Sequence, residues 1–91
     1  MSQNHQHHHQ ITVRYFASIR EAVGQGSEPV QTTAATLGEL RDELIARGGA
    51  YASSLARGKA VRMALNQLLS EDDAPLSVGA EVAFFPPVTG G

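Results

Sequence analysis

Apolar residues recur along this chain with two spacings, and each spacing predicts a different element. In the segment 11–16, Ile11, Val13 and Tyr15 occupy every second position, which predicts a β-strand with one apolar face. In the segment 37–45, leucines recur three and four positions apart, which predicts an amphipathic helix. The chain therefore contains a strand and a helix that each need an apolar partner.

The predicted main helix has a start signal and a stop signal. Thr36 and Glu39 have the spacing of a capping box, in which each side chain accepts a backbone N–H bond at the start of the helix. Gly48 and Gly49 follow the last apolar position and favour the end of the helix. Its apolar face is formed by Leu37, Leu40, Leu44 and Ile45. The face expected in solvent carries Arg41, Asp42, Glu43 and Arg47.

Local patterns predict several shorter elements. Ser18 and Glu21 form a second capping box, which predicts a short helix that ends at Gly24. Asn66 and Gln67 are suited to a two-residue hairpin turn, because Asn tolerates positive φ. The other predicted elements are strands at 29–33, 61–65 and 80–85, a return strand starting at 68–69, and a helical turn within 51–57.

The order of these elements predicts an α+β domain. One long helix with an apolar stripe needs a sheet face to cover, and the first and last strands are apolar enough to lie in the interior of that sheet. The predicted fold is a ubiquitin-like β-grasp, a mixed sheet of four to five strands that grips the helix. We expect this domain to span 11–87, between an extension at 1–10 and a flexible tail at 88–91.

Composition excludes or disfavours several classes of function. The chain has 91 residues, no Cys and a net charge of −2, which allows one domain without disulfides or thiol catalysis. The charge disfavours nucleic acid as a partner, because such binders usually present a basic face. No apolar run approaches the ~20 residues that cross a bilayer, and no secretory signal follows the start. We therefore expect a cytoplasmic protein without membrane contact.

All four histidines lie within the first ten residues. This extension is expected to be disordered, as a native extension or a cloning remnant, because it has almost no apolar surface to bury. A metal-binding tract is the alternative, since imidazoles ligate Zn, Ni and Cu. Residues 11–91 contain no His and no Cys, which excludes a His-based triad or a His/Cys metal site there.

The remaining polar groups do not form an enzyme site. Glu71, Asp72 and Asp73 are adjacent on a loop, where consecutive side chains point apart, so a solvated acidic loop is expected. Lys59 lacks the Gly-rich run that must precede the lysine of a phosphate-binding loop. The body of the chain is therefore expected to be non-catalytic by itself.

The C-terminal segment is different. Pro86 and Pro87 end the last strand and project the tail away from the sheet. Gly90 and Gly91 carry no Cβ, so this thread of backbone can enter a narrow channel in another protein. An acyl-adenylate at the terminal carboxylate would let sulfur replace AMP and give a thiocarboxylate. An unreactive end that finishes in Gly-Gly remains the alternative.

Two aromatic side chains are predicted on the other face of the sheet. If Val82 and Phe84 face the helix, then Phe85 faces outward, and Phe16 lies on the outward face of the first strand. Two outward aromatics near the exit of the tail would form an apolar docking patch. Cover by a loop is the alternative.

Several segments resemble the small subunit of molybdopterin synthase. The most specific is Phe-Phe-Pro-Pro-Val-Thr-Gly-Gly at 84–91, preceded by Gly-Ala-Glu-Val-Ala at 79–83. The resemblance covers essentially residues 11–91. Two features depart from it: Ala80 stands where the family usually has Asp, and the His-rich start has no counterpart. Further similar segments lie at 13–17, 19–21, 36–37, 64–67 and 75–76.

The resemblance implies a sulfur carrier of molybdenum cofactor biosynthesis. A ubiquitin-activating-like adenylyltransferase would use ATP to adenylate Gly91, and a sulfurtransferase would convert it to a thiocarboxylate. The tail would then enter the large subunit of the synthase, usually a heterotetramer, and donate sulfur to cyclic pyranopterin monophosphate to build the dithiolene. Catalytic side chains would lie mainly on that large subunit, and this chain would bind no cofactor.

The resemblance also implies site residues. Gly91 would carry the reactive carboxylate, with Gly90 beside it. The positions expected to contact partners are Phe16, Arg20, Leu69, Phe85, Pro86, Pro87, Val88 and Thr89. Three other functions remain open: a thiamine-type sulfur carrier, a ubiquitin-like protein modifier, and a β-grasp interaction module with an inert terminus. The Phe-Phe-Pro-Pro-Val-Thr run argues against the thiamine-type carrier.

Overall fold

The computed structural model describes residues 8–87. Within this range, five strands form one mixed sheet, and the apolar sides of three helices join the same core as one face of that sheet. The elements are β1 (His9–Tyr15), α1 (Ala17–Val23), β2 (Ser27–Thr32), α2 (Leu37–Ile45), α3 (Gly49–Leu55), β3 (Arg62–Leu65), β4 (Leu68–Ser70) and β5 (Glu81–Phe85).

The strand order is β2-β1-β5-β3-β4. β1 and β5 are parallel neighbours in the interior of the sheet, while β1–β2, β3–β4 and β3–β5 pair antiparallel. The first and last strands are interior because both bury alternate apolar side chains, as their patterns predict. The α+β β-grasp prediction is confirmed, with five strands.

The core joins the predicted helix stripe to the sheet. Leu37, Leu40 and Leu44 of α2 are 0–1% exposed. They belong to one apolar cluster with inward side chains of the strands, among them Val82 and Phe84. Ile45 and Leu65, the last residues of α2 and β3, are half-buried at the margin of this cluster. The predicted packing of this helix is confirmed.

Three local predictions are also confirmed. Thr36 Oγ1 accepts from the Glu39 N–H at 3.2 Å, and Glu39 Oε1 accepts from the Ala35 N–H at 2.8 Å. Gly24 ends α1 in the left-handed conformation. The turn residues Asn66 and Gln67 have φ of 50° and 72°, as a primed hairpin turn requires.

The starts of β1 and α1 differ from prediction. β1 begins at His9, which pairs with Thr32, so two residues assigned to the extension belong to the sheet. α1 begins at Ala17, with Phe16 as N-cap and no side-chain cap. The capping box at Ser18 was wrong, because Ser18 already lies inside the first turn. Residues 1–7 of the predicted extension lie outside the described range.

Arg41 is the clearest correction on α2. The helical pattern places it in solvent, but it is only 5% exposed. Its guanidinium donates to the carbonyl oxygens of Leu55 and Ala56, both at 2.7 Å, and of Lys59 at 3.3 Å. These carbonyls lie at the end of α3 and in the segment that follows it. Burial lowers the pKa of Arg41, yet its hydrogen bonds fix the segment that leads into β3.

Glu28 of β2 binds side chains from β1, from α3 and from the segment before α3. One carboxylate oxygen accepts from the hydroxyls of Tyr15 and Tyr51 at 2.7 Å each, and Arg47 forms an ion pair with it at 3.1 Å. Desolvation of the carboxylate favours its neutral form. The donated hydrogen bonds together outweigh desolvation, so the pKa of Glu28 lies below its ordinary value.

This arrangement predicts an acid dependence of stability. Because the pKa of folded Glu28 is below the ordinary 4.5, its carboxylate stabilises the fold above that pH, and this contribution disappears as the pH falls through the folded pKa. Glu28→Gln should therefore lose less free energy of unfolding than the parent chain between neutral and acid pH. Urea unfolding at a series of pH values measures this, and parallel losses in both chains would contradict it.

Among residues 8–87, every helix is too short and too polar to span a bilayer.

Candidate functional site

The candidate site is an open apolar groove on the sheet face opposite the helices. We call it the outer groove. It has a volume of about 750 Å³, and it is continuous with the segment that leads into the C-terminal tail. Its apolar lining comes from Phe16, Ala17, Ala64, Ala83, Phe85, Pro86 and Pro87.

The floor of the groove is low because its central side chains are small. Ala64 of β3 and Ala83 of β5 are paired across the sheet, and paired residues point to the same face. Both side chains end at Cβ, so a depression remains between the larger aromatic residues. The alternation along β5 places Glu81, Ala83 and Phe85 outward, as the sequence predicts, while Val82 and Phe84 are fully buried.

The backbone conformation of Phe16 places its side chain on this face. Its φ of −128° and ψ of 154° continue the extended conformation of β1, and its N–H donates to the carbonyl of Phe84 at 3.2 Å. The side chain therefore keeps the outward position that strand alternation gives it, and it is 39% exposed. An exposed aromatic beside an open groove is available to a partner.

One edge of the groove is charged. Arg14 of β1 forms an ion pair with Glu81 of β5 at 3.1 Å, and its guanidinium carbon lies 5.2 Å from the centroid of the Phe16 ring. Both side chains of the ion pair are partly exposed, so the pair itself adds little stability. It gives the apolar groove a polar rim, which is the usual arrangement of a protein interface.

Leu69 extends the same face toward the sheet edge. It pairs with Ala64, so a row of outward positions runs from Arg14 through Ala83 and Ala64 to Leu69. Leu69 is 62% exposed and does not line the outer groove itself. Its exposure on the short strand β4 leaves a large apolar side chain beside the groove.

The structure brings together most of the described residues that were expected to contact partners. Phe16, Phe85, Pro86 and Pro87 line the outer groove, and Leu69 lies on the same face. Arg20 lies elsewhere: its exposed side chain passes over the turn after α1, where a Cβ added at Gly26 would lie 3.3 Å from its Nε. Val88, Thr89, Gly90 and Gly91 lie outside the described residues.

Sequence reasoning missed several contributors to this face. Arg14, Ala64 and Gln67 line the groove, but none of them was among the residues expected to contact a partner. Strand alternation could have placed Arg14 outward. Nothing local could have placed Ala64 beside Ala83, because that pairing depends on strand order. The described lining is mainly apolar, with Arg14 and Glu81 at one edge, and a lining of this kind is suited to binding a partner.

A model described as the ThiS family matches residues 13–91. The molybdopterin synthase sulfur carrier subunit of Escherichia coli strain K12 is 44% identical over 81 residues, which cover 89% of this chain and 99% of that protein. The match thus extends over nearly the whole length of that relative.

Solved structures share the fold. The solution structure of the Haloferax volcanii HVO 2177 protein has a TM-score of 0.79 at 28% identity and covers 100% of this chain and 94% of that one. A chain in the complex of subunits 1 and 2 of molybdopterin-converting factor from Helicobacter pylori 26695 has a TM-score of 0.61 at 30% identity. That match covers 90% of this chain and 99% of that chain.

Proposed function

The chain belongs to the ThiS family, and from that membership we propose that it is the sulfur carrier subunit of a molybdopterin synthase, as its relative in Escherichia coli is named. The observation that carries the proposal is the outer groove. An apolar binding face leads through Pro86 and Pro87 directly into the segment that ends in Gly-Gly. The chain thus combines a surface for docking with a C-terminal segment that can carry sulfur to the partner.

The reactive group is the carboxylate of Gly91. It attacks the α-phosphate of ATP on an activating partner, and pyrophosphate leaves as the acyl-adenylate forms. A persulfide held by a sulfurtransferase system then attacks the acyl carbon and displaces AMP, and a thiol reductant cleaves the S–S bond of the resulting acyl disulfide to leave a thiocarboxylate at Gly91. Because this activation consumes ATP, we expect it to take place in the cytoplasm.

The thiocarboxylate is the sulfur donor to cyclic pyranopterin monophosphate. The apolar outer groove supports a division of labour between subunits, since such a surface is suited to docking on a partner. The large synthase subunit would bind the groove, receive the tail in its active site and supply the catalytic side chains. A solved complex of subunits 1 and 2 in Helicobacter pylori supports a partner of this kind, and a heterotetramer is the assembly we expect.

Mass spectrometry after co-expression with an activating enzyme tests the carrier chemistry. A gain equal to the difference between a sulfur and an oxygen atom, located at Gly91, is the expected result. Attachment of Gly91 to lysines of other proteins would identify a protein modifier instead. An unaltered terminus, with active enzyme and ATP present, would favour the inert interaction module. Assays of molybdopterin and thiamine precursor formation then separate the two kinds of sulfur carrier.

Docking through the outer groove predicts the effect of Phe85→Ala. Removing this aromatic side chain should weaken binding to the large subunit by ~2 kcal/mol, about thirtyfold in Kd, because truncated central anchors commonly cost this much. Phe85 is half-buried on the outward face, so the fold should survive the change. Isothermal titration calorimetry measures the affinity, and circular dichroism checks the fold.

Val78→Ala is the matched control. Val78 is 73% exposed but does not line the outer groove, so its truncation should leave the affinity unchanged. Equal affinity of Phe85→Ala and the parent chain would contradict docking through the groove.

A further inference from the structure

Arg14 contacts both a carboxylate and an aromatic ring at the edge of the outer groove. Its Nη1 donates to Glu81 Oε2 at 3.1 Å, and its guanidinium lies over the ring of Phe16, with Cζ 5.2 Å from the ring centroid. Because the N–H groups of a guanidinium lie in its plane, one edge can bind a carboxylate while the face stacks on an aromatic ring. One side chain therefore links a charged group of β5 to the ring of Phe16.

Strand geometry brings these three side chains together. Arg14 and Phe16 are two positions apart in extended backbone, so both project from the outer face of the sheet. β1 and β5 are parallel neighbours with Arg14 opposite Ala83, and Glu81 lies two positions before Ala83 on the same face. The side chains of Arg14 and Glu81 are 46% and 33% exposed, so their ion pair adds little to stability. What the pair does fix is the position of the guanidinium.

The ring of Phe16 needs a support of this kind. Phe16 is 39% exposed, and exposed side chains change rotamer within picoseconds to nanoseconds. The floor beside it is formed by Ala64 and Ala83, whose methyl groups leave room above them. A ring that turned onto this floor would remove apolar surface from water, which is favourable, and it would fill the depression that a partner has to enter. An unsupported Phe16 would therefore close the groove that it lines.

We propose that Arg14 is a positioning residue for docking, which holds the ring of Phe16 as a wall of the outer groove and keeps the groove open in the unbound chain. Glu81 anchors the guanidinium, and the guanidinium supports the ring through a cation–π contact. A wall that is already in place spares the complex the cost of ordering that side chain. The inference rests on the proposed function, because it takes the outer groove as the docking face for the large synthase subunit.

NMR spectroscopy of the unbound chain tests the support of the ring. Couplings between Hα and the two Hβ atoms of Phe16 report its χ1 rotamer. The parent chain should show one staggered rotamer, whereas Arg14→Ala should give averaged couplings or a second rotamer. The δ protons of Arg14 should show a ring-current shift that disappears in Phe16→Ala. Identical Phe16 couplings in the parent chain and in Arg14→Ala would overturn the proposal.

Arg57→Ala is the matched control. Arg57 is also an ion-paired arginine, with its side chain 43% exposed and its Nε 3.0 Å from Asp42 Oδ1, but it does not line the outer groove. Its truncation should leave the Phe16 couplings unchanged, and circular dichroism should show the same fold for both arginine variants. An equal change of the Phe16 couplings in Arg57→Ala would indicate a general loosening of the domain and would overturn a specific role for Arg14.

Binding to the large synthase subunit tests the consequence for docking. Arg14→Ala should raise Kd about three- to tenfold in isothermal titration calorimetry, because the complex then has to order a free aromatic side chain. In a chain that already carries Phe16→Ala, the same substitution should change Kd by less than about twofold, since Arg14 acts through that ring. An undiminished effect in the Phe16→Ala chain would mean that Arg14 binds the partner directly, and would overturn the positioning role.

The two measurements separate this inference from the proposed function. Absence of binding between the parent chain and the large subunit would count against the proposed function, while the couplings of the unbound chain still decide whether Arg14 holds Phe16. An unchanged Kd of Arg14→Ala, despite a loosened ring, would overturn the role in docking. A fixed ring in the parent chain, a loosened ring in Arg14→Ala and an effect on Kd that requires Phe16 would support both.

Discussion

Deleting Gly91 is expected to abolish molybdopterin formation and leave the fold intact. The proposed chemistry takes place at one carboxylate, and deletion moves that carboxylate back by one residue, a distance of about 3.3 Å along an extended chain. Displacements of this size remove a reacting group from its catalytic partners. The residue lies beyond the last strand, and residues at chain ends generally contribute little to stability. The assay combines the variant with the large subunit, an activating enzyme and a sulfur donor.

Two further variants separate position from chemistry. Adding one residue after Gly91 should abolish activity equally, because the carboxylate then lies beyond the catalytic groups. Gly90→Val should impair both adenylation and sulfur transfer, since a β-branched side chain crowds a narrow channel and stiffens the backbone. Urea unfolding should give the same stability for all three variants. Full activity of the chain lacking Gly91 would rule out the carrier mechanism.

Leu40→Ala is expected to have the largest effect on stability, a loss of about 2–5 kcal/mol. Leu40 is fully buried in the core that joins α2 to the sheet, and truncation removes its apolar contacts and leaves a cavity. A small domain has little stability to lose, so such a variant would be partly unfolded at physiological temperature. Denaturant unfolding followed by circular dichroism measures the difference.

Leu68→Ala is the matched control for this core substitution. Leu68 is the same residue type but is 71% exposed on β4, so its truncation should change stability by less than about 0.5 kcal/mol. Similar losses for Leu40→Ala and Leu68→Ala would contradict the packing of α2 against the sheet.

Core and docking face use opposite sides of the same strands. In β5, Val82 and Phe84 are buried against the helices, whereas Ala83 and Phe85 lie in the outer groove. A substitution at a buried position should therefore affect stability, and a substitution at an outward position should affect binding. This separation is what lets Phe85→Ala and Leu40→Ala test two different properties of one small domain.

Local periodicity was sufficient for the fold class. The stripe of α2, the alternation in β1 and β5, the capping box at Thr36 and the turn at Asn66 all depend on neighbours within a few positions, so they are legible in the sequence. The outward placement of Phe16 and Phe85 follows from the same alternation. The Gly-Gly terminus, too, is a property of the sequence alone.

Tertiary structure decided what depends on contacts between distant segments. Arg41 is buried because its guanidinium binds carbonyls at the end of α3. The periodicity of α2 carries no information about this neighbouring helix. Gly38 weakens the first turn of α2 by propensity, but a Cβ there would lie 3.1 Å from Cβ of Asp72, so the acidic loop packs against it.

The same reason applies to the site. Ala64 and Leu69 join Ala83 on the docking face only because β3 lies between β4 and β5, and Lys59 shares a pocket with Pro86 and Pro87 only through the register of Arg62 with Phe85. Alternation along one strand fixes the face on which a side chain lies. Which strands lie side by side, and hence which side chains share a groove, is fixed by long-range pairing that residue spacing does not encode.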